Sequence, residues 1–160
     1  MNIYIASDHA GYEMKNELKE YLSDLGYNVE DLGANTYNPE DDYPDYAKLI
    51  SENISKDVTN IGILICGTGQ GEIMAANRNP AVRCALFYGE AIPKTQIDIS
   101  GTESNDSYEI IKLARSHNNA NVLALASRFI DIEQAKKAVS VFIETPFSNE
   151  ERHVRRLSKF

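Results

Sequence analysis

Short apolar runs alternate with longer segments of helical periodicity along this chain. The short runs have the length and the β-branched content of strands, whereas the longer segments repeat apolar residues every three or four positions. Residues 61–65 are apolar throughout, as expected of a strand that is buried on both faces. The predicted strands are residues 3–6, 28–32, 61–65, 82–87 and 121–126, and the predicted helices are residues 10–25, 46–54, 70–78 and 132–143.

This alternation predicts an α/β fold in which helices cover a parallel sheet. The chain has 160 residues, which is the length of a single domain spanning 1–160. Sheets of this kind place their functional sites at the carboxyl ends of the strands. Polar or reactive residues follow three of the predicted strands, namely Asp8 with His9, Cys66, and Ser127 with Arg128. We therefore expect these residues to share one cleft.

Residues 88–107 do not fit the alternation. Gly89, Pro93 and Gly101, with a polar run at 102–107, predict a loop insertion. A connection of this length is uncommon in a compact domain. Because it leaves the carboxyl end of a strand, we expect it to border the cleft or to extend a subunit contact. The alternative is a passive insertion, since surface loops tolerate added length.

Composition excludes several classes of function. Hydrophobic residues make up 42% of the chain, yet no apolar run approaches the ~20 residues that span a membrane. The N-terminus lacks the basic region of a secretory signal. The two cysteines, Cys66 and Cys84, fit a reducing cytoplasm better than a disulfide framework. The net charge of −8 disfavours nucleic acid as a partner.

The acidic chain nevertheless ends in a basic segment. Residues 152–159 contain three arginines, one lysine and one histidine, and no acid. Arg152 and Arg156 are four positions apart, so they share a face if the segment is helical. The segment is either a solvated basic tail or an anion clamp on a C-terminal helix.

The Gly-rich turn at 66–72 carries the strongest chemical signal. Glycines at 67, 69 and 71 allow a tight turn whose N–H groups converge on an anion, next to the N-terminus of a predicted helix. The turn lacks the third glycine of a dinucleotide fingerprint and the Gly-Lys-Ser/Thr of a P-loop. A purely structural turn remains an alternative, although one glycine would suffice for it. We expect the thiol of Cys66 at this turn to ionise more easily than a free thiol.

Each candidate also has a simpler explanation. Cys66 is small and apolar enough to be a buried core residue, and Glu72 is an acid in the first turn of a helix. Asp8 is placed to cap the next helix, and His117 could be a polar turn residue. The three histidines all lie in polar clusters near strand ends or in the basic segment, which favours proton transfer or anion binding. No spacing of His, Cys or carboxylates predicts a metal site.

Six motifs, in order along the chain, resemble the sugar-phosphate isomerase family that includes ribose-5-phosphate isomerase type B and the galactose-6-phosphate isomerase subunits. They lie at residues 7–11, 42–47, 65–77, 116–123, 127–128 and 152–156. The resemblance implies a three-layer Rossmann-like domain with a five-stranded parallel sheet and a C-terminal basic helix. It implies no metal or other cofactor, and a homodimer, or a tetramer of dimers, whose sites are shared between subunits. The implied reaction interconverts ribose 5-phosphate and ribulose 5-phosphate through an enediolate, after acid-assisted ring opening.

The resemblance also implies roles for individual residues. Cys66 would be the base. His117, helped by Thr68, would be the acid that opens the sugar ring. Glu72 is a second candidate base, because some family members use a glutamate there in place of the cysteine. His117, Asn118 and Arg128 are expected from the neighbouring subunit. The phosphate clamp would comprise His9, Arg128, Arg152 and Arg156. The full set of implied substrate-binding residues is Asp8, His9, Tyr43, Gly67, Gly69, Gln70, Gly71, Asn118, Arg128, Arg152 and Arg156.

The chain departs from the family pattern in its spacing. Between Arg83 and His117 it has about eighteen residues more than the family's usual spacing, judged against ordinary loop lengths. The presence of Cys66, His117 and Arg152 favours the pentose enzyme. The alternatives are an isomerase of allose 6-phosphate or galactose 6-phosphate, or a non-catalytic module that binds phosphate or a nucleotide.

Overall fold

The structure is a computed structural model that describes residues 1–160. Five strands alternate with six helices, and a short 3-10 turn at His9–Gly11 precedes the first helix. The strands are β1 (Ile3–Ser7), β2 (Val29–Asp31), β3 (Ile61–Cys66), β4 (Cys84–Phe87) and β5 (Val122–Ala126). The helices are α1 (Tyr12–Asp24), α2 (Tyr43–Lys56), α3 (Gln70–Ala76), α4 (Glu109–Ser116), α5 (Ile132–Glu144) and α6 (Glu151–Leu157).

The strands form one parallel sheet in the order β2-β1-β3-β5-β4. All residues of the three central strands are buried, because α1, α4 and α5 pack on one face while α2 and α3 pack on the other. The predicted three-layer α/β architecture and the basic C-terminal helix are confirmed. The fourth strand begins two residues later than predicted, since residues 82–83 lead into β4 rather than join it. None of the helices is long and apolar enough to cross a lipid bilayer.

The carboxyl ends of the central strands lie side by side. Ser7 of β1 is in register with Ile65 of β3, and Cys66 of β3 with Ala126 of β5. A Cβ at Gly11 would collide with the carbonyl group of Ile65, so the turn after β1 packs directly on the end of β3. The residues that follow these strands are therefore brought to one edge of the sheet.

Residues 88–107 form a loop without helix or strand, as predicted. The two ends of this loop are joined, since the N–H of Ala91 donates to the carbonyl of Ser107 at 3.0 Å. The carboxylate of Glu90 accepts hydrogen bonds from the Ser107 hydroxyl at 2.9 Å and the Tyr108 hydroxyl at 3.0 Å. The ring of Tyr108 in turn stacks on Phe87. The loop thus leaves and re-enters the domain at one anchored point.

A buried lysine holds the chain segment that follows β2. Lys15 is only 1% exposed, and its Nζ donates to both carboxylate oxygens of Asp31 at 2.7 and 2.8 Å and to the carbonyl of Ala34 at 2.8 Å. The N–H of Ala34 donates to Ser7, the residue before Asp8. Lys19 makes a second, more exposed bond to Asp31. This network therefore supports the backbone beside the predicted cleft.

Lys15→Met should destabilise the fold by about 3 kcal/mol, because it removes the buried cation and leaves the Asp31 carboxylate with only the more exposed Lys19 as a charged partner. Lys19→Met serves as the control and should cost less than about 1 kcal/mol, since Lys19 is 38% exposed. Urea unfolding at neutral pH measures both free energies. Equal effects of the two substitutions would contradict the role assigned to Lys15.

The same network predicts a dependence on pH. Burial alone would raise the pKa of Asp31, but hydrogen bonds from Lys15 and Lys19 hold it below its ordinary value of 3.8. A lowered carboxyl pKa contributes stability at neutral pH that is lost as the pH falls below 3.8 and through the lowered value. The difference in unfolding free energy between wild type and Lys15→Met should therefore shrink in strongly acidic buffer.

Candidate active site

The Gly-rich turn after β3 forms an open cup of backbone donors. The N–H of Gly69 donates to the sulfur of Cys66 at 3.2 Å, whereas the N–H groups of Gly67 and Thr68 make no hydrogen bond within the chain. Gly69 has a φ of +71° and is the N-cap of α3, and a Cβ there would collide with Leu86. Two unused donors beside a thiol are suited to bind a negatively charged oxygen.

Gly67 and Gly71 allow neighbouring side chains to pack directly against the backbone. A Cβ at Gly67 would lie 2.9 Å from the guanidinium carbon of Arg128, and a Cβ at Gly71 would collide with the ring of Tyr43. Tyr43 is the first residue of α2, and Arg128 follows β5. A structural turn would need only Gly69, so the other two glycines are explained by the side chains that pack over them.

Three acidic groups meet below the cup. Cys66 is 5% exposed and Glu72 is fully buried, and the carboxyl oxygens of Glu72 accept no hydrogen bond from a nitrogen or oxygen donor. Burial raises the pKa of the Cys66 thiol to about 12, and the nearby carboxylates of Glu72 and Asp8 add to this effect. Burial likewise raises the pKa of Glu72, and the charge of Asp8 acts in the same direction.

The prediction that Cys66 ionises more easily than a free thiol is therefore wrong for the isolated chain. The Gly69 N–H does lower the thiol pKa, but burial and two neighbouring acids outweigh it. The sequence predicted that Asp8 and Cys66 share one cleft, but it did not show how deeply the sulfur and the Glu72 carboxyl would be buried there.

Asp8 caps the turn that follows β1. Its Oδ1 accepts from the N–H groups of Ala10 at 2.9 Å and Gly11 at 3.2 Å, which confirms the capping interpretation. Burial raises the pKa of Asp8 even though these two N–H groups oppose the shift. The charge of Asp8 raises the pKa of the Cys66 thiol, so Asp8 also borders the cup.

His9 and Arg128 reach the same edge of the sheet. The hydroxyl of Ser127 donates to the carbonyls of Ala10 at 2.8 Å and Cys66 at 3.1 Å, and so ties the ends of β1, β3 and β5 together. The N–H of Arg128 donates to the carbonyl of Gly67 at 3.2 Å. This edge, which we call the cup edge, gathers Asp8, His9, Tyr43, Cys66, Gly67, Thr68, Gly69, Gln70, Gly71, Glu72 and Arg128.

A second cluster lies at the opposite edge of the sheet. His117 follows α4 and precedes β5, and its ring lies 4.2 Å, centroid to centroid, from that of His153 on α6. Arg152 and Arg156 are on the same helix. Asn118, Leu157 and Phe160 help to line an adjacent cleft of about 600 Å³. We call this group, His117, Asn118, Arg152 and Arg156, the amino-edge cluster.

The direction of the strands separates the two clusters. Gly62 pairs with Val122 and Cys66 pairs with Ala126, so the two ends of this ladder are four residues apart, or about 13 Å at ~3.3 Å per residue. Cys66 lies at the carboxyl end, whereas His117 precedes the amino end. One chain therefore does not bring Cys66 and His117 into one site.

Two expected groupings are corrected by this geometry. Arg128 was expected with His117 from a neighbouring subunit, but it packs over Gly67 of its own chain. Arg152 and Arg156 were expected in one clamp with His9, yet within the chain they accompany His117, because α6 follows the loop that is bonded to Ser116. Asp41, which bonds to His9, was not predicted at all, since no local motif links residues 32 positions apart.

Comparison with known proteins identifies the family. The sequence profile of the Ribose/Galactose Isomerase family matches residues 3–100 and 98–160, and the two matches meet inside the 88–107 loop. Ribose-5-phosphate isomerase B of Mycobacterium tuberculosis is 34% identical over 98% of this chain and 86% of its own length.

Solved structures agree with the sequence comparison. The crystal structure of ribose-5-phosphate isomerase B from Mycoplasma genitalium with bound ribulose-5-phosphate has a TM-score of 0.84 at 40% identity, covering 99% of this chain and 92% of that one. The enzyme from Thermotoga maritima has a TM-score of 0.82 at 42% identity, and the match covers 99% of this chain and 95% of that one. By profile, sequence and fold, the chain belongs to the ribose/galactose isomerase family.

Proposed function

We propose that this protein interconverts ribose 5-phosphate and ribulose 5-phosphate. The observation that carries the proposal is the cup edge, where a thiol and a buried carboxyl lie beside two unused backbone donors in a member of this isomerase family. Ribose-5-phosphate isomerase B relatives support the pentose as substrate, and the one from Mycoplasma genitalium binds ribulose-5-phosphate.

The cup supplies what aldose–ketose isomerisation requires. A base removes the C2 proton of the open aldose, the negative charge develops on the enediolate oxygens, and the proton returns to C1. The free N–H groups of Gly67 and Thr68 are suited to stabilise that charge, because they are fixed in position before the reaction. Gly69, Gln70 and Gly71 continue the same turn into α3, and Tyr43 and Asp8 border it as ligands for the sugar hydroxyls.

We assign the base to Cys66, with Glu72 as its buried partner. The sulfur opens onto the cup, whereas the carboxyl of Glu72 is completely enclosed. The charge of Glu72 raises the pKa of the Cys66 thiol, whereas a hydrogen bond from Cys66 lowers the pKa of Glu72. The thiolate is therefore promoted whenever Glu72 holds its proton.

The remaining roles require a second chain. The amino-edge cluster contains the proposed ring-opening acid, His117, but lies about 13 Å or more from the cup of its own chain. A two-fold arrangement that places this edge of one chain against the cup edge of the other would complete two equivalent sites. His9 and Arg128 would then form half of the phosphate clamp, and Arg152 and Arg156 of the partner subunit the other half. Thr68 would assist His117 of the partner subunit.

The proposal includes the setting of the reaction. The substrate would be a small sugar phosphate, without a metal or organic cofactor, and the active form a homodimer or a tetramer of dimers. Cys66 and Cys84 are both free thiols, which supports a reducing, cytoplasmic location.

A substrate panel tests the reaction itself. Turnover of ribose 5-phosphate should persist in the presence of a metal chelator, and its kcat/KM should exceed those for allose 6-phosphate and galactose 6-phosphate by at least about tenfold. A higher value for either hexose phosphate would reassign the substrate. Tight phosphate or nucleotide binding without any turnover would favour the non-catalytic module.

Two substitutions at the cup test the identity of the base. Cys66→Ala should lower kcat by about 10²-fold or more, the range for loss of a general base. Glu72→Gln should lower kcat much less. It should also shift the rise of kcat/KM with pH to lower pH, because it removes a charge that raises the thiol pKa. The reverse ranking of the two variants would move the role of the base to Glu72.

A mixing experiment tests the shared site. Cys66→Ala and His117→Ala chains, each nearly inactive alone, should regain activity after they are unfolded together and refolded. In a hybrid dimer one site carries both substitutions and the other carries neither. Separately refolded chains, mixed without exchange, are the control. Absence of rescue in hybrids proven by mass spectrometry would place Cys66 and His117 in the site of the same chain.

A further inference from the structure

The carboxylate of Asp41 holds His9 by two hydrogen bonds. Oδ1 of Asp41 lies 2.7 Å from the ring Nδ1 of His9 and 3.1 Å from its backbone nitrogen. The side chain of Asp41 is 7% exposed, whereas that of His9 is 28% exposed. A nearly buried acceptor therefore occupies one ring nitrogen and leaves the other, Nε2, available to a ligand.

The charge state of Asp41 decides which atom carries the proton. Burial by itself would raise the pKa of Asp41, but hydrogen bonds from the His9 ring and the His9 N–H lower it below its ordinary value. Burial and the nearby charge of Asp41 raise the pKa of Tyr46 to about 12, so this hydroxyl keeps its proton. An ionised Asp41 only accepts hydrogen bonds, and Nδ1 of His9 must therefore be the donor.

This tautomer limits what His9 can offer to a phosphate. With the proton fixed on Nδ1, a neutral ring presents only a lone pair at Nε2, which would repel an anionic oxygen. Nε2 becomes a donor only when the ring is protonated on both nitrogens. The resulting positive charge would lie between the carboxylate of Asp41 and the phosphate, an arrangement that stabilises the charged ring.

We propose that Asp41 is a positioning residue that holds His9, in a single orientation, as the imidazolium that binds the phosphate of the sugar. The inference rests on the proposed function, which supplies the phosphate, but the contact itself is independent of it. It also explains the ordered loop before α2, because the bond to His9 ties residues 38–42 to the end of β1.

Other groups around His9 must be included in any pH profile. Asp8 precedes it in the chain, and its charge interacts with that of His9. The ring of Tyr37 meets the His9 ring edge-on, with 6.4 Å between centroids. Tyr46 acts through Asp41, and Arg128 lies on the segment whose Ser127 contacts Ala10. Asp8, Asp41 and Arg128 are therefore the charged groups to account for when the pH profile is interpreted.

Asp41→Asn tests the inference, because it keeps the size of the side chain and removes its charge. Glu40→Gln is the matched control, since Glu40 is an exposed acid at the next position. At pH 8, Asp41→Asn should raise KM for ribose 5-phosphate, and Kd for inorganic phosphate, about tenfold, as expected when a hydrogen bond to a charged group is weakened. Its kcat should stay within about twofold of wild type, and its KM should begin to rise at a lower pH. Glu40→Gln should match wild type.

Nitrogen-15 spectra of the imidazole rings provide a readout that a purely structural role would not change. In wild type, Nδ1 of His9 should remain protonated over the whole titration, and inorganic phosphate should extend the doubly protonated form to higher pH. In Asp41→Asn the phosphate effect should be lost at the same phosphate concentration. Tyr46→Phe, which leaves the carboxylate in place, should change KM in the same direction by a smaller factor.

Several outcomes would overturn the inference. The inference is wrong if KM and phosphate Kd of Asp41→Asn equal those of Glu40→Gln at every pH. It is also wrong if Asp41→Asn lowers kcat without changing KM, because that result would assign the pair of residues to proton transfer. If Asp41→Asn does not fold, wild-type spectra in which the proton leaves Nδ1 of His9 during the titration would overturn it. If wild type turns over no sugar phosphate, the proposed function fails, and phosphate binding with the ring spectra still decides the role of Asp41.

Discussion

The parallel pairing of β3 with β5 is the constraint on which the site depends. It pairs Cys66 in register with Ala126, and so places the thiol, Ser127 and Arg128 at one edge of the sheet. The same pairing sends His117, which precedes β5, to the other edge. No adjustment of side chains can undo this separation, because the ladder of β-sheet hydrogen bonds fixes it. A reaction that needs both the thiol and the imidazole therefore requires two chains.

Elements with strong periodicity could be predicted from the sequence, and for a clear reason. Residues 61–65 are apolar without interruption because β3 is covered on both faces, and the three glycines mark a turn where side chains pack closely against the backbone. The resemblance of the motifs then supplied the chemistry. Because composition and spacing are local properties, they located the Gly-rich turn but not the contacts made around it.

What the sequence did not reveal depends on distance in space. Burial raises the pKa of Cys66, and the charges of Glu72 and of Asp8, which lies at the end of another strand, raise it further. The bond between His9 and Asp41 joins the end of β1 to the loop before α2. The resemblance grouped Arg128 with His117, but His117 precedes β5 and Arg128 follows it, so the two lie at opposite edges of the sheet. Each of these properties depends on which edge of the sheet a residue occupies or on how deeply a charged group is buried.

The electrostatics of the cup connect catalysis to assembly. In the isolated chain, Asp8, Cys66 and Glu72 all have raised pKa values, because burial disfavours their charged forms and the charge of Asp8 acts on both Glu72 and Cys66. Arg128 is the cation that the chain itself places over the turn. A second chain that places its amino-edge cluster against the cup would add Arg152 and Arg156 of the partner subunit. Nearby positive charges favour the thiolate and the carboxylate, so the contact that completes the phosphate clamp would also lower the pKa of the base. Formation of the dimer and activation of the thiol would then be consequences of the same set of charges.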